Sequence, residues 1–125
     1  MVLAKQVMMK EFVTAKKNDT IQDCIELLFK MHIGSIVITD DERNCLGIFT
    51  ERDAIRMIAQ KVPLNSPIAN VMTKNVFTIN ESAPYKEVRN MINLHGIRHL
   101  PVVDASGKLK GLISIRQVLN EILGI

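Results

Sequence analysis

Apolar residues along this chain recur in two rhythms, and the whole series of rhythms occurs twice. Ile21, Cys24, Ile25, Leu28 and Met31 fall at helical spacing behind Asn18-Asp19-Thr20, a helix start with an oxygen side chain at the cap. Gly34 is expected to end that helix in the left-handed conformation. Ser35-Ile36-Val37-Ile38-Thr39 is rich in β-branching and apolar without alternation, so it predicts a strand buried on both faces. Asp40 to Asn44 predicts a polar turn, and Cys45 to Phe49 the second strand of a hairpin. Thr50 opens a helix whose apolar positions are Ala54, Ile55 and Ile58. With a brief strand at Val13-Thr14-Ala15, the unit reads strand, helix, strand, strand, helix. It follows a lead-in, residues 1–12, whose Val7-Met8 pair predicts a short helical turn.

The unit then returns. Gly47-Ile48-Phe49-Thr50-Glu51-Arg52-Asp53 reappears as Gly111-Leu112-Ile113-Ser114-Ile115-Arg116-Gln117, a shift of 111 − 47 = 64 residues. The same shift carries Val7-Met8 onto Val71-Met72, Thr14 onto Thr78, Ile33 onto Ile97 and Asp40 onto Asp104, with no gap between Val7 and Ile122. In the second copy Ile68 to Thr73 repeats the lead-in, Val76 to Ile79 predicts a strand, and Pro84 takes the first helical position. Val88, Ile92 and His95 keep the helical period and Gly96 ends it. His99 to Val103 and Leu109 to Ile113 predict a hairpin around Ala105 to Lys108, and Ser114 opens a helix with Val118, Leu119, Ile122 and Leu123 apolar. Lys61 to Pro67, with two prolines, is the joint. The expected architecture is α/β (α+β): two β-α-β-β-α repeats, residues 1–61 and 62–125. A unit of about 60 residues buries only about 60% of its surface, so the repeats are expected to pack sheet to sheet about a pseudo-twofold axis, leaving paired clefts.

Composition narrows the class. Hydrophobic residues make up 47% of 125, with no Trp and one Tyr, so the core is aliphatic. No apolar run approaches the roughly 20 residues of a membrane span, and Met1-Val2-Leu3-Ala4-Lys5 lacks a signal-peptide core. Cys24 and Cys45 form no Cys-x-x-Cys pair and read as reduced, buried thiols of a cytoplasmic protein. The net charge of +3 is mild, and a solvated surface accounts for it better than nucleic acid does.

Few residues offer chemistry. Thr50 with Asp53 fits a capping box, as does Ser114 with Gln117. A helix N-terminus at a strand end also suits anions and polar ligands, because free N–H groups and the helix dipole point outward there. Arg98-His99 precedes a buried strand where the first copy has Gly34-Ser35, which reads either as a solvated strand start or as a phosphate grip. Arg52 and Arg116 occupy equivalent cap turns. Gly96 separates His95 from His99, so the two make no helical metal pair, and no metal site is expected. Ser106-Gly107-Lys108 lacks the upstream glycines of a phosphate loop. No serine sits in a nucleophile elbow, and no enzyme activity is expected.

The motifs at Ile33 to Asp40, Arg98-His99-Leu100-Pro101-Val102-Val103-Asp104 and Gly47 to Asp53, with a Met in each lead-in, resemble a tandem pair of CBS domains, the Bateman module. The resemblance spans nearly the whole chain. It implies a regulatory module that binds an adenosyl ligand between its repeats, here an adenine nucleotide: AMP first, otherwise ADP or ATP. It implies no further cofactor, a homodimer paired through helices, and a separate regulated partner. In the family pattern the acid matching Asp53 holds ribose hydroxyls, and the hydroxyl matching Thr50 lies beside ribose or phosphate. Val76, Phe77, Thr78, Ile97, Leu100 and Pro101 match the base-holding segment. Arg98, His99 and Arg116 match phosphate-side positions, and Arg52 adds charge nearby. Gln117 stands where the second copy should have its acid. A second cleft near Phe12, Val13, Ile36, Ser114, Arg116 and Gln117 is therefore expected to bind more weakly, bind something else or stay empty. S-adenosylmethionine is the rival ligand. A nucleic-acid-binding or scaffolding role is the rival class.

Overall fold

A computed structural model describes residues 1–124, apart from the side chains of Glu121 and Ile122. It is a mixed α/β structure with two three-stranded sheets, ordered β1-β2-β3 and β4-β5-β6. Its two compact units are Val13–Val76 and Met1–Phe12 with Phe77–Ile125.

In the Val13–Val76 unit, β1 (Thr14–Ala15) runs parallel to β2 (Ser35–Thr39), which is antiparallel to β3 (Cys45–Thr50). The parallel step needs a crossover, and α2 (Ile21–Met31) supplies it. Thr20 caps α2 by accepting from the Asp23 amide at 3.0 Å, while Asp23 accepts from the Thr20 amide at 3.1 Å. Every residue of β2 is buried, as its unbroken apolar run requires. Asp40 closes the hairpin turn, its Oδ1 accepting from the amides of Glu42 and Asn44, each at 2.9 Å. Ile21, Cys24, Ile36, Ile38, Phe49 and Ile68 form the heart of the core.

Two local expectations change here. His32, not Gly34, ends α2 in the left-handed conformation, with φ 54°. The Ile33 amide bonds back to the Leu28 carbonyl at 3.2 Å, so the chain has already turned before Gly34. Gly34 instead lends its carbonyl to the Glu51 amide (3.1 Å), anchoring the start of α3 (Glu51–Ala59). The buried stripe of α3 is Asp53, Ala54 and Met57, while Ile55 and Ile58 are exposed. The capping box draws Asp53 inward and thereby sets the rotation of the whole helix.

The other unit repeats this topology. Here β4 (Ile79–Asn80) pairs in parallel with β5 (His99–Val103), which is antiparallel to β6 (Leu109–Ser114), and α4 (Tyr85–His95) is the crossover. Even the irregularity repeats, between Ile38 and Thr39 and between Val102 and Val103. Pro84 is the cap of α4 rather than its first residue, and Gly96 ends the helix at φ 60°. The expected strand at Val76 to Ile79 begins late. Its counterpart is tied by the Val37 amide to the Val13 carbonyl at 3.2 Å, but Pro101 stands at the place of Val37 and has no N–H to give. Val88, Ile92, Leu100, Val102 and Ile113 form this core. Val118 of α5 (Ile115–Leu123) packs there, Leu119 and Leu123 are exposed, and the side chain of Ile122 lies outside the described residues.

The sequence repeat and the packing units divide the chain differently, because each sheet takes the other copy's lead-in. Thr73 makes a two-bond bridge with Ile48 of β3, each bond 3.0 Å, behind a 3₁₀ turn at Ile68–Asn70. Met9 bridges Leu112 of β6 through bonds of 2.8 and 3.0 Å, behind α1 (Ala4–Val7), whose Ala4 is fully buried. Glycine permits both approaches. A Cβ on Gly47 would stand 2.8 Å from the Thr73 carbonyl oxygen and on top of Met72. On Gly111 it would stand 2.9 Å from the Met9 carbonyl oxygen and on top of Met8.

Candidate functional site

The two strand-to-helix junctions carry the polar groups, and each is complete within its own unit. At the end of β3, Thr50 is paired with Ser35, and its hydroxyl accepts from the Asp53 amide at 3.2 Å. The Asp53 carboxylate lies back across the cap. Its Oδ2 accepts from the Thr50 amide at 2.9 Å and from the Thr50 hydroxyl at 3.1 Å. Its Oδ1 meets an Nη of Arg56 at 3.1 Å. Asp53 is one of few buried polar or charged residues, 7% exposed, and it sits where the helix dipole favours negative charge. Arg52 on the same turn is exposed, and Val76, at the far end of this unit, is half-buried.

The junction in the other unit is built differently. Ser114 caps α5 by accepting from the Gln117 amide at 3.2 Å. Gln117 does not return the bond. Its side-chain amide donates to the Val7 carbonyl, and its Oε1 is buried with no partner. The expected second capping box is thus half formed, and Gln117 spends its donor on holding the lead-in. His99 is paired with Ser114, and the Arg98 carbonyl accepts from the Ile115 amide at 2.8 Å. These contacts bring Arg98, His99, Ser114, Arg116 and Gln117 to one end of one sheet, with Arg98 and Arg116 exposed. Phe77 is 44% exposed and stacks on His95, ring centroids 3.8 Å apart and 15° from coplanar. Thr78, next to Phe77, and Ile97, two residues after His95, are half-buried, as are Phe12 and Val13, where the chain passes from one unit to the other. Ile36, Leu100 and Pro101 lie fully inside their cores.

Sequence reasoning missed two residues. His95 entered it as a helical-period position and a discarded metal ligand, yet it supplies the flat partner of Phe77. Arg56 was passed over, although its position three after Asp53 is a standard helical ion-pair spacing. Neither cysteine offers a nucleophile. Both are free; burial, then the charges of Asp19 and Asp23, push the Cys24 thiol up to about 12, and burial pushes Cys45 up. Among the described residues no group of three or more His, Cys, Asp or Glu is placed to hold a metal, and no helix is long and apolar enough to cross a membrane.

This arrangement is shared with known proteins. The family model for the CBS domain matches twice, over residues 4–60 and 68–124. A solved CBS domain pair of protein MJ0100, in complex with 5′-methylthioadenosine and S-adenosyl-L-methionine, superimposes with a TM-score of 0.89 at 28% identity, over 98% of this chain and 97% of that one. The CBS domain protein PAE2072 from Pyrobaculum aerophilum, complexed with AMP, gives 0.87 at 25% identity, over 99% and 100%. An uncharacterized 17.7 kDa protein of Acidianus ambivalens is 29% identical over 96% of this chain and 73% of its own length. Inosine-5′-monophosphate dehydrogenase of Aquifex aeolicus is 32% identical over 86% of this chain, which spans only 22% of that enzyme.

Proposed function

The chain belongs to the CBS-domain family, with two copies in tandem, and on that premise we propose that it is a regulatory module that binds an adenine nucleotide and signals its occupancy to a separate protein. The observation that carries this reading is the buried Asp53 carboxylate at the end of β3, a charge-bearing acceptor for ribose hydroxyls. In the reading, Thr50 lies beside the ribose, while Arg52, Arg98, His99 and Arg116 serve the phosphate. Val76, Phe77, Thr78, Ile97, Leu100 and Pro101 shape the place of the base. AMP is the first candidate, in keeping with the AMP held by the Pyrobaculum relative. S-adenosylmethionine is the alternative, in keeping with the ligands of MJ0100; it lacks the phosphate that three arginines and a histidine would serve. The cap turn at Ser114 and Gln117, without a carboxylate, binds more weakly. The chain acts without catalysis of its own.

The test is thermal unfolding of wild type and Asp53→Ala with AMP, ADP, ATP, S-adenosylmethionine or no ligand. A ligand at 100 times its dissociation constant stabilises the native state by about 2.7 kcal/mol. One adenosyl ligand should raise the wild-type midpoint, and Asp53→Ala should lose most of that rise; a panel that moves nothing rejects the reading. A second copy is the proposed cover for the exposed apolar residues Ile55, Ile58, Leu119 and Leu123. Light scattering at micromolar concentration should then give about twice the 14.1 kDa chain mass, and a monomer there counts against it.

A further inference from the structure

Asp53 is held by more than its task requires, and Arg56 is the surplus. A second capping box in the same unit serves as an internal control. Thr20 and Asp23 make the same pair of bonds at 3.0 and 3.1 Å, and the residue three further on is Glu26, so no arginine is needed to set that carboxylate. At Asp53 the box is likewise complete, and Arg56 comes in addition.

An ionised carboxylate offers about four acceptor sites, two on each oxygen. Oδ2 of Asp53 already accepts twice, from the amide and the hydroxyl of Thr50. Oδ1 accepts once, from Arg56. One site remains, whereas two neighbouring hydroxyls of a ribose donate two hydrogen bonds. The Arg56 side chain is 49% exposed, so its ion pair is weak and easily exchanged for water.

We propose that Arg56 is a specificity-determining counter-ion that occupies the place of one ribose hydroxyl on Asp53 and must leave before a vicinal diol binds through both of its oxygens. The inference rests on the nucleotide reading above and adds a residue that opposes binding. Arg56 lowers affinity for ribosides relative to deoxyribosides, because only the intact diol needs its position.

The experiment is calorimetric titration of adenosine, 2′-deoxyadenosine and 3′-deoxyadenosine into wild type, Arg56→Ala, Arg56→Lys and Asp53→Ala, each checked for a native circular dichroism spectrum. Phosphate is left out of the ligands so that the other arginines stay silent. Arg56→Ala should bind adenosine roughly two- to fivefold tighter, the range set by a half-exposed ion pair, with both deoxynucleosides unchanged. Arg56→Lys should stay near wild type. Equal or weaker adenosine binding by Arg56→Ala overturns the inference, and so does an equal gain for all three nucleosides. If wild type binds adenosine and Asp53→Ala does not, such a result removes the role of Arg56 alone. If wild type binds none of the nucleosides, the same comparison is read with AMP, 2′-deoxyAMP and 3′-deoxyAMP; no binding there, or Asp53→Ala binding as well as wild type, brings down the nucleotide reading and the inference with it.

Discussion

Cys24 is fully buried in the core of the Val13–Val76 unit, and its thiol is pushed up to about 12 from an ordinary value of 9.0 by burial and by Asp19 and Asp23. The unfolded chain releases this proton first as pH rises, so the native state binds more protons between those values. The stabilisation from the neutral thiol is therefore complete below about pH 9 and is lost as pH climbs toward 12. Urea midpoints measured at pH 7, 9 and 10.5 should fall at the highest pH for wild type, and less for Cys24→Ala; parallel falls would assign the loss elsewhere. Single residues differ in how well the sequence announces them. Asp53 was legible because a Thr-x-x-Asp spacing at a strand end has one local meaning, a capping box. Gln117 occupies the equivalent position but lacks charge, and its donor goes to the Val7 carbonyl, 110 residues away. No spacing rule reaches that far. Arg56 escaped because an i,i+3 ion pair on a helix is ordinarily a solvated surface feature.

Among the elements, the hairpins β2–β3 and β5–β6 follow their apolar runs closely, since strand pattern and turn residues agree at Asp40 and Asp104. Asp104 holds its turn as Asp40 does, its Oδ1 accepting from the amides of Ser106 at 2.9 Å and Lys108 at 3.0 Å. The face of α3 was not legible. Its apolar residues Ile55 and Ile58 are exposed, because the cap rather than hydrophobic spacing sets the rotation. β4 shows how one residue moves a boundary. Replacing Pro101 by Val, the residue at the equivalent position 37, restores the N–H that Val37 gives to the Val13 carbonyl, whose counterpart in the repeat is Phe77. Pro101→Val should extend β4 toward Phe77 and give a slowly exchanging amide at position 101 in hydrogen-exchange NMR. Rapid exchange there would show that something other than the missing donor shortens the strand.

At the scale of the whole molecule, the exchanged lead-ins decide which fragments fold. A fragment of residues 1–61 lacks Ile68 and Met72, which pack in the core of its sheet, and carries Ala4, which belongs to the other core. Residues 13–76 hold one compact unit entire. Expressed alone, 13–76 should show a sigmoidal urea transition by circular dichroism and 1–61 a featureless one, though both are small enough to be marginal. Identical curves would mean that the lead-in contributes little. The duplication itself was plain from the 64-residue shift, but a repeat in sequence does not say which sheet each lead-in joins. The exchange also orders events during synthesis. The first unit is complete once residue 76 has left the ribosome, whereas Met9 must wait for Leu112. At roughly 5–20 residues per second that interval is about 5–20 s. Throughout it Ala4, Val7 and Met8 have no sheet to cover, so that segment stays open to a chaperone or a protease until β6 is made.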